Sequence, residues 1–302
     1  MEGKCRLAMQ KNTASQNVFN YINIAFMSCL VLVTVYPFYY VIVASFTSSS
    51  FLEVHTGMLW WPTRFTLRAY QVAFTHPLLI SGFRNILFVM VAYVPLSLAM
   101  TILCGYFIAC KGMMFKKPIM LFMLFTMFFS GGMIPSYLNI TSLGLTDSLW
   151  ALILPSSLSL YNAIITKTAM EAIPESLTES AYMDGANDLV ILFSIVIPLI
   201  VPTLAVMALY YGVGQWNSWF PATIYIKDNY KLPIQAILRS ILIANEKKLD
   251  TGMEVVGTDY KDTYAETIKY VVIIISTVPI LLVYPFIQKY FVKGVMIGAI
   301  KG

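Results

Sequence analysis

Residues 85–110, NILFVMVAYVPLSLAMTILCGYFIAC, decide the fold because they contain no charged side chain. A helix needs about 20 apolar residues to cross the core of a bilayer, and a charge placed there costs several kcal/mol. The stretch therefore predicts a transmembrane helix. Five further charge-free stretches accompany the first one: 12–52, 118–146, 148–166, 189–226 and 270–288. The stretch 189–226 is long enough for two helices, but Gly212, Gly214 and the polar string 215–219 are expected to end the helix after a single span.

The composition agrees with six such spans. Hydrophobic residues make up 58% of the 302 and charged residues 12%, whereas a soluble domain carries about 25% charged residues. The net charge of +5 is too small to predict binding to nucleic acid. Three of the four cysteines lie in or beside apolar runs, which argues against a disulfide framework. We predict an all-α polytopic membrane protein with six transmembrane helices.

Lys and Arg favour one orientation. With an even number of spans, the basic N-terminal stretch, the loop 111–117 and the basic C-terminal tail share one side, which the positive-inside rule makes cytoplasmic. Segment 227–269 opposes this with seven Lys/Arg, but it also carries seven Asp/Glu and counts for less. A signal peptide cleaved near Val43-Ala44-Ser45 is the alternative, although the apolar run is far longer than a signal peptide needs.

The sequence contains no motif for catalysis or metal binding. It lacks the P-loop pattern, the Gly-x-Ser-x-Gly elbow and His-Glu-x-x-His. His55 and His76 are its only histidines, and neither has Cys or His neighbours at ligand spacing. The spans also lack the ionisable residues on which ion-coupled carriers depend, so energy for transport has to come from elsewhere.

An acidic loop, residues 167–188, separates the fourth and fifth spans on the cytoplasmic side. Pro174 suits the first position of a helix, and Gly185 suits a left-handed residue that ends one. Between them Ile173, Leu177 and Ala181 form one apolar stripe, which predicts a short helix on the membrane surface that docks a partner. A merely solvated helix is the alternative. The acids of the loop are Glu171, Glu175, Glu179, Asp184 and Asp188.

The same loop resembles a known signature. Glu179-Ser180-Ala181, then Gly185, then Ile195-Val196-Ile197-Pro198 are similar to the EAA motif, Glu-Ala-Ala-x3-Gly-x9-Ile-x-Leu-Pro, of ABC importer permeases. Only Ser180 and Ile197 depart from it, and the spacing is intact. The segments 129–137 and 212–220 and the tail 288–302 resemble maltose-type permeases, in particular the branch for complex oligosaccharides and lipo-oligosaccharides.

The resemblance implies a type I ABC importer fold in a prokaryotic plasma membrane, with both termini inside. It implies four kinds of partner: a second homologous permease, a cytoplasmic ATPase dimer that uses ATP and Mg, an external sugar-binding protein, and an oligosaccharide. The chain itself is expected to be no enzyme and to bind no cofactor. The residues implied in coupling to the ATPase are Glu175, Glu179, Ser180, Ala181, Asp184, Gly185, Ile195 and Pro198.

Two other classes of function are alternatives to this one. A channel or facilitator without an ATPase partner would explain the charge-poor spans but leaves the loop and its signature unexplained. A membrane enzyme would need a nucleophile and a base on one side, and the sequence offers no such pair.

Candidate residues for the substrate pathway are Trp216, Asn217 and Trp219, whose aromatic faces and amide suit a sugar ring. Tyr161 and Asn162 in the fourth span are candidates of the same kind. The alternative for the tryptophans is an interfacial belt, where Trp is enriched in membrane proteins generally.

The predicted organisation is a cytoplasmic segment 1–19, a six-span domain 20–293 with its core at about 83–290, and a cytoplasmic tail 294–302. The tail is expected to insert between the ATPase subunits. The long outer loop 227–266 is predicted to hold a short helix at 232–238, begun by Pro233, and a flexible tip at 245–252. This loop either contacts the binding protein or forms a solvated cap.

Overall fold

The computed structural model describes residues 14–55, 57–110, 115–251 and 265–299, and these ranges form helices without strands, as predicted. A π-helical turn, Leu192–Val196, and a 3₁₀ turn, Asn229–Lys231, lie among the α-helices. In chain order the α-helices are α1 Ala14–Ser45, α2 Ser49–Leu52, α3 Arg68–Thr75, α4 Pro77–Ala109, α5 Lys116–Phe128, α6 Met133–Ser142, α7 Trp150–Ile153, α8 Leu160–Glu171, α9 Glu175–Met183, α10 Asp188–Ile191, α11 Ile197–Trp216, α12 Phe220–Tyr225, α13 Ile234–Thr251 and α14 Ala265–Ala299.

The described residues fall into two compact units, one drawn from residues 1–69 and 260–274 and the other from 70–259 and 275–302. In the first unit, the C-terminal end of α1 packs with α2 through Val43, Ala44 and Leu52. The start of α14 joins this unit by a hydrogen bond, in which Thr267 Oγ1 donates to the backbone oxygen of Thr47 over 3.1 Å.

The second unit is built around α4. This helix packs along α8 and α11, and its first turns lie against α13. Glycines permit two of these close approaches: a Cβ on Gly82 would lie 3.3 Å from the Ile234 backbone, and one on Gly105 would lie 3.3 Å from the Ala163 oxygen. Small residues at helix crossings let backbones approach closely, which suits packing inside a bilayer.

Three described helices are long and apolar enough to cross a membrane: Gln16–Ser45, Pro77–Ala109 and Asp188–Trp216. The predicted span 118–146 is instead a pair of helices, α5 and α6, bent by 112° and counted as a fourth span if taken together. The bend lies at Ser130-Gly131-Gly132, where Gly132 has a φ of +89°. The six-span count and the orientation therefore remain predictions.

Several element bounds differ from those predicted. The span 148–166 is interrupted between α7 and α8, around Pro155, because proline supplies no N–H for a continuous helix. Gly212 and Gly214 lie inside α11, so only the polar residues that follow end this helix, at Trp216.

The outer loop and the tail are more helical than expected. The predicted flexible tip at 245–252 is wrong as far as Thr251, because α13 runs unbroken from Ile234 to Thr251. The backbone of α14 stays helical past Gly294 to Ala299. The basic N-terminal residues, the outer segment 252–264 and the last residues 300–302 lie outside the described ranges.

Candidate functional site

The loop helix α9 begins and ends much as the sequence predicts. Pro174 is the N-cap residue, so the helix begins one position later than predicted, at Glu175. The carboxylate of Glu175 places a negative charge at the positive end of the helix dipole. At the other end Gly185 has a φ of +83°. Ala186 N donates to Ala181 O over 2.9 Å and Gly185 N to Tyr182 O over 3.0 Å, which is the Schellman pattern.

Apolar residues in α9 and just before it hold the helix against the rest of the second unit. Ile173 and Ala181 pack against a buried cluster of Met170, Ile191, Leu192, Val196 and Ile200. Leu177, the middle residue of the predicted stripe, is 45% exposed and lies outside this cluster. Glu175, Glu179, Ser180, Asp184 and Gly185 are exposed as well. The loop therefore presents an acidic surface that also exposes Leu177, Tyr182 and Met183.

A carboxylate shared by two tyrosines fixes the loop to α4. The Tyr182 hydroxyl donates a short hydrogen bond to Asp188 Oδ1, and the Tyr106 hydroxyl of α4 lies 3.4 Å from the same oxygen. The hydrogen bond to Asp188 raises the pKa of Tyr182 above its usual value. A cavity of about 620 Å³ opens beside these groups, and Glu175 and Glu179 also line it.

The last two residues implied in coupling lie where the loop enters α11. Ile195 is half-buried in the π-helical turn, and Pro198 is the second residue of α11. Because Pro198 has no N–H to donate, the helix cannot continue its regular hydrogen bonds through this point. The sequence predicts a bend here, and the structure places a π-helical turn immediately before the proline, a feature frequent at functional sites.

A second and larger cavity, of about 1200 Å³, lies within the same unit between α4, α8, α11 and α14. Of the residues predicted for the substrate pathway, Tyr161, Asn162 and Trp216 line this cavity. Asn217 and Trp219 lie outside its lining. The Asn217 amide donates to Val213 O over 3.0 Å, and the Trp219 ring carries the Arg239 guanidinium 5.2 Å from its centre.

Further polar residues of the cavity wall were missed by the sequence analysis. Tyr93, Tyr211 and Gln215 line it and satisfy the backbone where α7 and α8 are interrupted. Tyr93 Oη donates to Ser156 O over 3.0 Å, Gln215 Nε2 donates to Leu152 O over 3.2 Å, and Tyr211 Oη accepts from Ser159 N over 3.0 Å. Their only signal was polarity within otherwise apolar helices.

The cavity wall is uncharged: among the described residues that line it, none is Asp, Glu, Lys or Arg. Trp216 is almost fully buried, and its Nε1 donates to Ser276 O over 3.0 Å. Tyr161 and Tyr210, by contrast, are about half exposed. An uncharged cavity with open tyrosine rings and amides suits the hydroxyl groups and apolar faces of a sugar.

The fold and the loop define a membrane permease of a binding-protein-dependent importer. The chain belongs to the family described as binding-protein-dependent transport system inner membrane component, which residues 6–297 match. Members of this family are transport subunits and not enzymes.

Relatives of known name narrow the class. The chain is 40% identical to the polygalacturonan/rhamnogalacturonan transport system permease protein YtcP of Bacillus subtilis, over 94% of this chain and 99% of that protein. It is 37% identical to the Bacillus subtilis protein LplC, over 96% and 97% of the two chains.

A solved structure agrees with these relatives. The chain is similar to one in the crystal structure of a bacterial ABC transporter involved in the import of the acidic polysaccharide alginate. The TM-score is 0.83 and the identity 28%, over 93% of this chain and 99% of that one. This protein is therefore a permease subunit of an ABC importer for sugars or oligosaccharides.

Proposed function

We propose that this chain pairs with a second homologous permease to import oligosaccharides that contain uronic acids, driven by a cytoplasmic ATPase dimer and supplied by an external sugar-binding protein. The ATPase subunits use the ATP and Mg, and this chain binds neither. The importer lies in a prokaryotic plasma membrane with both termini of this chain inside.

The observation that carries the proposal is the geometry of α9. The helix is held by Ile173 and Ala181 and by the Tyr182–Asp188 hydrogen bond, while Glu175 and Glu179 stay exposed along the open cavity beside these contacts. A helix that is fixed to the spans and displays paired carboxylates suits a cationic groove on a soluble subunit. Movement of that subunit would then be passed to α4 and α11 through these contacts.

The substrate class rests on the relatives and on the larger cavity. Two similar proteins are named for the transport of polygalacturonan/rhamnogalacturonan and of alginate. A cavity of about 1200 Å³ exceeds the roughly 300–1,000 Å³ of ordinary small-molecule sites, as an oligomer requires. Tyr161, Asn162 and Trp216 are the proposed contacts of this chain with sugar.

Much of the apolar surface of this chain is uncovered, which supports a partner within the membrane. α5 has no buried residue, and Phe128 at its end is 85% exposed. Inside a bilayer such a surface is covered by lipid or by another helix. We propose that the second permease covers part of it.

The proposal is tested with the complete importer, reconstituted in vesicles with ATP on the ATPase side and loaded binding protein on the other. Glu179→Lys is expected to abolish uptake of uronate oligosaccharides, because it reverses the charge that meets the ATPase, while membrane insertion stays normal. Glu53→Lys, the same reversal in the outer segment, is the control.

Wild-type uptake by Glu179→Lys, with normal ATPase association, would rule out docking through α9. Uptake by the unaltered protein without ATP would instead make it a facilitator.

A further inference from the structure

The outer end of α1 carries a segment that folds back along the helix. In residues 57–62, here called the tryptophan segment, Leu59 N donates to Tyr36 Oη over 3.0 Å, and Tyr39 Oη donates to Trp60 O. The Trp60 ring lies 5.4 Å from the Tyr36 ring, centre to centre. Since Tyr36 precedes the end of α1 at Ser45 by about 14 Å of helix rise, the chain returns by that distance toward the membrane.

The length of α1 fixes the depth of this segment. Its 32 residues make a helix about 48 Å long, whereas the apolar core of a bilayer is about 30 Å thick. Tyr36 stands about 33 Å from the start of α1. Lys11 precedes α1 in the sequence, and a charged residue is costly inside the apolar core. The start of α1 is therefore placed at or outside the boundary of the core on that side of the membrane. Tyr36 therefore lies at the far boundary of the core or inside it, and so does the tryptophan segment.

Backbone groups of the tryptophan segment have hydrogen-bond partners within the protein, as a position in the membrane requires. Non-helical backbone in an apolar environment must find its hydrogen-bond partners within the protein, because lipid tails offer none. Tyr36 and Tyr39 supply such partners to Leu59 and Trp60, and the His55 ring lies 3.3 Å from Met58 O through Nε2. Leu59 is 3% exposed and packs with the buried end of α1.

The outward side of the segment is aromatic. Trp60 is 65% exposed and Trp61 is 78% exposed, and they continue the uncovered apolar surface of α1, on which Phe38 is 69% exposed. Trp is enriched where bilayers meet water because its ring is apolar and its N–H is polar. We propose that the tryptophan segment is a membrane anchor, with Trp60 and Trp61 among the headgroups and upper acyl chains of the outer leaflet.

The anchor sets how deep α1 sits, since the tyrosines tie the segment to the helix while the tryptophans bind lipid. It rests on the membrane-spanning class of the protein and, for the choice of the outer leaflet, on the orientation given in the proposed function, but not on the substrate or the loop 167–188. A failure of this inference therefore leaves the proposed function untouched.

The test uses the complete importer in phosphatidylcholine–phosphatidylglycerol vesicles whose acyl chains carry bromine at a shallow or a deep carbon. Bromine quenches tryptophan emission on contact. The emission that Trp60→Phe/Trp61→Phe removes from the wild-type spectrum reports these two rings. That difference emission is expected to be quenched more by shallow than by deep bromine, and Trp150→Phe should leave the quenched fraction in place.

If aqueous iodide quenches the difference emission and bromine does not, the segment faces water and the proposal is overturned. If neither quencher acts, protein covers the rings and the proposal is equally overturned.

A second variant, Tyr36→Phe/Tyr39→Phe, keeps every tryptophan but removes both hydroxyls. It is expected to reduce quenching by shallow bromine and to increase quenching by iodide. Unchanged lipid quenching would overturn the assignment of the two tyrosines as the groups that hold the segment at this depth.

Discussion

At the scale of single residues, Asp188 links the loop helix to the membrane helices. Its Oδ1 meets the hydroxyl of Tyr182 from α9 and that of Tyr106 from α4. Hydrogen bonds to a charged group contribute about 1.5–3 kcal/mol, roughly twice those between neutral groups. Because these groups are partly exposed, the lower end of that range applies. The contact contributes little energy, but its position matters because it lies between the proposed docking surface and α4.

We expect Tyr182→Phe to loosen coupling without preventing assembly. Loss of the hydroxyl frees one end of α9 while the apolar contacts of Ile173 and Ala181 remain, so fewer sugars should enter per ATP hydrolysed, with basal ATPase activity kept. The ratio of uptake to hydrolysis in vesicles measures this. Thr168→Val is the control, because its hydroxyl bonds only within its own helix, to Ile164 O. An unchanged ratio in Tyr182→Phe would contradict the role of the hydroxyl.

Asp147 is the second residue with a strong local network. It accepts from Lys231 Nζ over 2.6 Å and from the backbone N–H groups of Asp228 and Lys227 over 2.9 and 3.0 Å. These bonds, with that from Lys231 foremost, lower the pKa of Asp147 from 3.8 to about 2. The contact ties the turn before α7 to the segment that follows α12.

This shift has a definite sign. A carboxyl with a lowered folded-state pKa stabilises the protein above its unfolded pKa, here near 3.8, and loses that contribution as pH falls toward about 2. Asp147→Asn should therefore lower Tm at neutral pH and flatten the loss of Tm across that acid range. Thermal unfolding in detergent measures both effects. Glu53→Gln is the control, and an equal acid slope in wild type and Asp147→Asn would contradict the account.

At the scale of elements, the crossing of α4 and α8 depends on Gly105. A Cβ there would lie 3.3 Å from Ala163 O and from Thr166 Cγ2, which is tighter than ordinary contact. Gly214 offers a matched comparison, since it too is helical but a Cβ on it meets nothing within 4 Å. The two glycines thus separate close packing from helix propensity.

Gly105→Leu is expected to destabilise the protein by about 1–3 kcal/mol, the usual cost of overpacking, because the two helices must move apart. Gly214→Leu gains the same helix propensity without that cost. Comparing Tm of the two purified variants isolates the crossing. If Gly105→Leu is as stable as Gly214→Leu, the close approach is not required.

At the scale of the whole molecule, the second unit contains both the acidic loop 167–188 and the cavity of about 1200 Å³. α4 and α11 take part in each, because they line the cavity and also hold the cluster under α9. The same two helices therefore connect the loop with the cavity. The described residues of the cavity wall include no charged side chain.

The sequence by itself determined the membrane class, the helical fold and the ends of the loop helix. These follow from local physics: charges are excluded from the bilayer core, and only certain residues, such as Gly185, accept a left-handed turn. The tertiary structure alone decided the partners of Tyr211, Gln215 and Asp188. Those features depend on which backbone groups remain unsatisfied when distant helices meet, and residues such as Tyr211 and Ser159 are brought together only by packing.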